Sequence, residues 1–140
     1  MRARELERGT WALVFDTGEE AFSLLSGWVR DQVVTAARLT AIGAFERAVV
    51  GYFDWERKDY LRIPVDEQVE VLSLVGDVAL DPDGAPVVHA HAVLGKRDGS
   101  TAGGHLLEGH VRPTLEVMLI ESPAHLRKRH DPETGLALIE

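Results

Sequence analysis

Six histidines occur in the chain, and three of them fall within residues 89–105. In Val87-Val-His89-Ala-His91-Ala-Val93, the alternation of a β-strand sets both imidazoles on one face and Ala90 and Ala92 on the other. The turn Lys96-Arg-Asp-Gly-Ser100 carries the register further. A three-residue loop, Arg97-Asp98-Gly99, seats glycine at the left-handed position that such loops favour. Residue 96 then faces 100, and counting outward brings His105 opposite His91. A two-residue loop would turn His105 to the far face, and Gly103-Gly104 could add a bulge. Register therefore decides whether three rings converge. Directly opposed Cβ atoms lie about 4.5–5.5 Å apart, which lets three imidazoles reach one ion through metal–nitrogen bonds of about 2.0–2.1 Å. Three neutral nitrogen donors fill three corners of a tetrahedron and leave the fourth open to water or a ligand carboxylate. That is the arrangement of a catalytic rather than a structural zinc. The plainer reading of the same residues is half-buried sheet histidines bonded to backbone or water.

Glu108 and Glu116 are the carboxylates first considered as outer partners of such a site or as proton acceptors. Their alternative is a solvent-facing strand position. His110, after Gly109, reads as a surface residue, and His125 and His130 belong to a polar tail. Gly103-Gly-His-Leu-Leu-Glu-Gly109 lacks the Gly-Lys-Ser/Thr ending of a phosphate loop and opens no helix. Its paired glycines imply that another chain, or a ligand, approaches the backbone closely. Gly-x-Ser-x-Gly, Ser-x-x-Lys and HExxH are all absent, which removes the familiar hydrolase signatures. Tyr52, Phe53, Trp55 and Tyr60 gather around a turn, where core or subunit packing is the expected role.

The elements that position these residues come from a short chain. At 140 residues and 15.4 kDa, one domain over 1–140 is expected, with 1–9 flexible and 123–140 forming a C-terminal edge segment. Apolar usage of 45% is globular. The net charge of −8 is evenly spread, and no basic half exists to grip nucleic acid or an anionic membrane. The lack of cysteine excludes disulfides, thiolate metal sites and thiol nucleophiles. The first residues, Met1-Arg-Ala-Arg-Glu-Leu-Glu-Arg8, do not resemble a secretory signal, and no apolar run is long enough to span a bilayer. A cytoplasmic location is the expectation.

Trp11-Ala-Leu-Val-Phe15 reads as a strand. Thr17 and Glu20 form a capping-box pattern ahead of one amphipathic helix from about Glu19 to Val33, with Phe22, Leu25, Trp28 and Val29 on its apolar face. Strand-like runs follow over 34–45, 47–55, 59–65, 69–80, 86–95, 101–108 and 113–121, punctuated by glycines. The class is α+β, with the helix against one face of a mostly antiparallel sheet. One helix leaves sheet surface uncovered, which subunit contact could bury.

In order along the chain, several segments resemble the PPC (plants-and-prokaryotes-conserved) domain. They are Leu39-Thr-Ala-Ile-Gly-Ala44, Val50-Gly-Tyr-Phe-Asp54, Val69-Glu-Val-Leu-Ser-Leu-Val-Gly76, Asp83-Gly-Ala-Pro-Val-Val-His-Ala-His91, Asp98-Gly-Ser-Thr-Ala-Gly-Gly-His-Leu-Leu-Glu-Gly109, Thr114-Leu-Glu-Val-Met-Leu-Ile120 and Asp131-Pro-Glu-Thr-Gly-Leu136. The resemblance implies a homotrimeric α+β domain. It also implies a metal, zinc above all, held through His89, His91 and His105. Plant relatives carry AT-hooks and act in nuclear DNA binding. Here no Arg-Gly-Arg-Pro core or basic arm occurs, which speaks against direct minor-groove binding.

Three functions compete on these grounds. The first is a metal-binding trimer with a pocket for a small ligand. The second is a metal-dependent enzyme in which a carboxylate such as Glu108 relays a proton. The third is a DNA-associated regulatory or interaction protein, favoured if Arg127, Lys128 and Arg129 cluster with Lys96 and Arg97.

Overall fold

A computed structural model describes residues 1–140. Its elements are β1 (Arg2–Glu7), β2 (Thr10–Asp16), α1 (Ala21–Asp31), β3 (Ala36–Asp54), β4 (Asp59–Val65), β5 (Val69–Leu80), β6 (Pro86–Gly95), β7 (Thr101–Glu121), β8 (Lys128–His130) and β9 (Ala137–Ile139). Seven strands form one antiparallel sheet in the order β1-β2-β7-β6-β5-β3-β4. β3 pairs with β7 as well as with β5, so β3, β5, β6 and β7 close into a ring. No helix is long and apolar enough to cross a membrane.

Four expected strands are in fact two. Runs 34–45 and 47–55 join in the 19-residue β3, and 101–108 and 113–121 join in the 21-residue β7. The glycine at the end of the first of these runs, Gly43, marks a bend and not a turn. At Gly43, φ is +149° and a Cβ would lie 2.3 Å from the Thr114 carbonyl oxygen. The register between β3 and β7 shifts at that point. A bulge there lets both strands curve while staying paired.

The helix starts later than the capping-box pattern predicts. Glu20 itself is the cap: its carboxylate accepts from the Phe22 and Ser23 amides at 3.2 and 2.8 Å, and also from the Gly109 amide of β7 at 2.8 Å. Thr17 instead donates its hydroxyl to the Pro113 carbonyl. Glu20 thus ties the helix end to the sheet in one group. Ala21, Leu25 and Val29 are buried against β6 and β7. Trp28 meets Trp11 edge-to-face at 5.1 Å. Phe15, Phe45, Leu39, Leu94, Leu115 and Leu119 fill the interior. The opposite face of the strands leaves Ile42, Leu72, Val75, Val93 and Met118 exposed.

Both termini differ from expectation. Residues 2–7 are a paired strand, since β1 lies alongside β2 and Arg2 Nη1 donates to both Asp16 carboxylate oxygens at 2.9 and 2.8 Å. The tail does not extend the main sheet. β8 and β9 pair with each other, and this small ribbon is fastened by the Leu80 amide donating to the Leu126 carbonyl at 2.8 Å. A ribbon of its own forms because Asp131-Pro-Glu-Thr-Gly135 turns the chain back before it can run along an edge; Asp131 Oδ2 accepts from the Thr134 amide and hydroxyl.

Candidate metal centre

The β6–β7 hairpin closes through a three-residue loop. The Lys96 amide donates to the Ser100 carbonyl at 2.8 Å, and the Gly99 amide donates to the Lys96 carbonyl at 3.0 Å. Gly99 holds φ +84°, and Asp98 Oδ1 accepts from the Ser100 amide and hydroxyl. This loop sets Gly95 opposite Thr101 and therefore His91 opposite His105. Ala90 and Ala92 point inward, 2% and 3% exposed, and His89 and His91 point outward. The close approach at Gly104 comes from within the chain: a Cβ there would lie 2.5 Å from the Gly51 carbonyl oxygen of β3.

The three rings gather outside the sheet. Their centroids are 5.0 Å apart for His89–His91, 5.0 Å for His89–His105 and 5.4 Å for His91–His105. One nitrogen from each lies within 4.8 Å of the others. The Nε2 atoms of His89 and His91 are 3.1 Å apart. Nitrogens sharing a tetrahedral ion at about 2.0–2.1 Å stand about 3.3 Å apart, so this pair is already at ligand spacing and the third ring needs a modest inward shift. Nδ1 of His105 is buried with no hydrogen-bond partner. An orphaned buried nitrogen requires an explanation, and a metal would supply one.

The electrostatics favour lone pairs over protons. Burial, then the neighbouring His89, His91 and Lys128 charges, pushes His105 down to about 4. Burial and His89 also lower His91, with Asp77 opposing. Neutral imidazole is the form that ligates.

Asp77 completes the arrangement. It sits on β5 directly opposite His89, with Oδ2 3.4 Å from His89 Nδ1. The bond from His89 holds the Asp77 carboxyl below the usual carboxylate range, against burial that raises it and with help from Lys128. A carboxylate on Nδ1 favours the tautomer whose Nε2 lone pair is free. The same counting that located His105 finds Asp77 from the preceding hairpin, because Leu80 opposite Pro86 puts 77 opposite 89. Tyr60, whose ring lies 4.6 Å from that of His105, and Lys128 of the tail join the site as well.

The two carboxylates expected near the histidines lie apart from the cluster. Glu108 binds the Arg62 guanidinium and faces His110 at 3.8 Å. Glu116 lies further along β7, opposite Val14 and Ile42. Strand alternation put these acids on β7, but the pairing with β3 turns Glu108 toward Arg62 of β4. His110 also contacts Arg47, and His125 bonds Thr35. The aromatic cluster is a surface feature of the β3–β4 hairpin, with Tyr52 and Trp55 exposed and Phe53 edge-to-face with Tyr60.

Comparison with known proteins identifies relatives along nearly the full length. The family model described as "Plants and Prokaryotes Conserved (PCC) domain" matches residues 4–123. A crystal structure of a plant- and prokaryote-conserved (PPC) protein from Pyrococcus horikoshii is 33% identical with TM-score 0.86, covering 99% of this chain and 93% of that one. A metal-containing protein from Archaeoglobus fulgidus is 34% identical with TM-score 0.83, covering 94% and 92%. A Ralstonia eutropha structure named "Putative DNA-binding protein" is 27% identical with TM-score 0.84, covering 93% and 90%. The bifunctional protein GlmU of a Synechococcus strain is 34% identical over 121 residues, which are 84% of this chain. The match spans only 18% of that relative's length.

Proposed function

This chain belongs to the Plants and Prokaryotes Conserved (PCC) domain family, and from that premise we propose that it is a metal-binding, self-associating domain that presents an open coordination position to a small ligand. His89, His91 and His105 would hold a divalent transition metal, zinc being the natural candidate for three neutral imidazoles. The observation that carries this reading is the convergence of three imidazoles, one nitrogen of each within 4.8 Å of the others, in a cluster where His105 Nδ1 is buried without a partner. The metal-containing relative from Archaeoglobus fulgidus supports it. When bound, the ion would supply Lewis acidity at its free corner. The protein's part is to keep the rings neutral and to orient His89 through Asp77. Because the carboxylate beside the rings is engaged in orientation, and Glu108 is engaged with Arg62, binding is favoured over turnover.

Self-association is supported by the exposed apolar residues of the sheet's outer face, where Met118 and Val75 flank Thr40 across β7, β3 and β5, next to His91. Such a surface suits burial against other copies, and three copies is the number we favour. Direct nucleic-acid binding fits less well. Of the basic residues that could form a patch, Lys128 is turned toward Asp77 and Lys96 pairs with Glu67 at 3.1 Å.

The test is metal analysis of tag-free protein prepared without chelator, beside His91→Ala. About one metal ion per chain is expected, with a large loss in the variant. Equal, negligible metal in both would end the reading. Light scattering on the same samples measures the number of copies, and a monomer would remove the self-association.

A further inference from the structure

Beside the histidines lies a cleft of about 450 Å³. That is within the usual range for small-molecule sites. Its floor carries His89, His105, Asp77 and Lys128, and its outer wall is the apolar end of the chain, Leu136, Ala137, Leu138 and Ile139. Lys128 is the unusual member. Its side chain is only 9% exposed, and the one carboxylate it faces is Asp77, where lysine ordinarily reaches into solvent. The nearest carboxylate oxygen, Asp77 Oδ1, is 3.8 Å from Nζ, beyond hydrogen-bond distance, and that oxygen is itself buried without a partner. An ammonium has three donors and no acceptor capacity. Nζ makes no hydrogen bond within the protein and lines the cleft, so its donors are available to an anion there.

We propose that this cleft binds a small monocarboxylate with a short apolar chain, its carboxylate held by Lys128 Nζ beside the histidine cluster and its chain laid against Leu136, Leu138 and Ile139. The charge count selects the class. Asp77 already offsets much of the one ammonium, so a monoanion meets less repulsion in the cleft than a phosphate dianion. The wall selects the tail, because it offers no polar side chain to a second charged end. The inference deepens the metal reading, since a carboxylate oxygen directed at the three rings is the ligand their open corner would take. Lys128 and the wall nevertheless act without the metal.

The experiment is calorimetric titration of the full chain, metal-free and cobalt(II)-loaded, with acetate, butyrate and hexanoate. Butanol, butylamine and inorganic phosphate serve as controls. Affinity should rise by up to about fourfold per methylene buried against the wall, and butyrate should exceed both butanol and phosphate. Lys128→Met, compared with wild type at equal cobalt content, should weaken carboxylate binding on the order of ten- to a hundredfold. Lys128→Arg, which keeps the charge, should retain most of the affinity. Butyrate binding unchanged in a folded, cobalt-loaded Lys128→Met protein would overturn the proposal, as would equal affinity for butyrate and butanol. Failure of the metal reading is read separately, from the cobalt content and spectrum. A chain that takes no cobalt yet binds butyrate in a Lys128-dependent way would refute the ion and uphold the cleft.

Discussion

Replacing Asp77 by asparagine tests the logic of the histidine cluster most directly. The substitution keeps the shape of the side chain opposite His89 and leaves an amide oxygen able to accept from Nδ1, but it removes the charge 3.4 Å from that ring. Outer carboxylates on ligating histidines are worth about 10- to 100-fold in metal affinity, or about 1.4–2.7 kcal/mol. At free zinc held at a hundred times the wild-type Kd, bound metal adds about 2.7 kcal/mol to stability. The same zinc concentration would stand only about ten- to onefold above the variant's Kd, adding about 1.4 to 0.4 kcal/mol. The variant should therefore lose about 1.3–2.3 kcal/mol of zinc-induced stabilisation. With an unfolding entropy of about 2.1 cal/mol/K per residue, that corresponds to a zinc-induced rise in Tm smaller by about 4–8 °C. Competition against a chromophoric chelator gives the affinity, and thermal unfolding with and without zinc gives the shift. Wild-type affinity and an undiminished shift in Asp77→Asn would refute the role assigned to this carboxylate. A fall in the metal-free Tm with no change in zinc affinity would reassign Asp77 to structure alone.

Two further outcomes follow from the same geometry. Burial pushes the Glu20 carboxyl up, but hydrogen bonds from the Gly109, Ser23 and Phe22 amides outweigh it and hold the group below its ordinary value. Its contribution is present above the unfolded-state pKa and is lost as pH falls through the lower native value. Glu20→Ala should cost about 2–3 kcal/mol in urea unfolding at pH 7, combining a lost cap with an orphaned Gly109 amide, and should flatten the acid limb; a cost below about 0.5 kcal/mol would contradict the double tie. For His105 the sign follows from the native value of about 4. Between about pH 6.5 and pH 4 the unfolded chain binds a proton that the native chain does not, so the metal-free protein should lose stability across that window on acidification. His105→Asn should show a shallower decline, and identical pH profiles would count against the half-buried neutral ring.

The histidine hairpin was legible in the sequence because its loop is short. Only a three-residue turn ending in Gly99 seats glycine at the left-handed position, and the count outward from it needs no tertiary information. Asp77 was within reach of the same method, but the preceding loop is longer. There Asp81 Oδ1 accepts from the Asp83 and Ala85 amides, and the register rests on that side chain. The union of segments into β3 and β7 was not legible, since a glycine that bends a strand and one that reverses it look alike until the partner strand is known. In the sequence Lys128 stands in a basic run with Arg127 and Arg129, and nothing local shows that it alone turns toward Asp77. Its position depends on β9 folding back beside it and on Leu80, far along the chain, holding the ribbon against the site. The helix was found but its cap was misassigned, because the acceptor for the first turn is a glutamate also bonded to a distant strand.

The alternation of alanine and histidine along β6 divides duties cleanly between the two sides of one strand. Ala90 and Ala92 serve the interior, and His89 and His91 serve whatever lies outside. Stripping away all three rings would leave the inward lining of this strand untouched. Ligand-deficient chains should therefore be well-folded blanks, and the same scaffold is free to exchange its outward chemistry without renegotiating its interior.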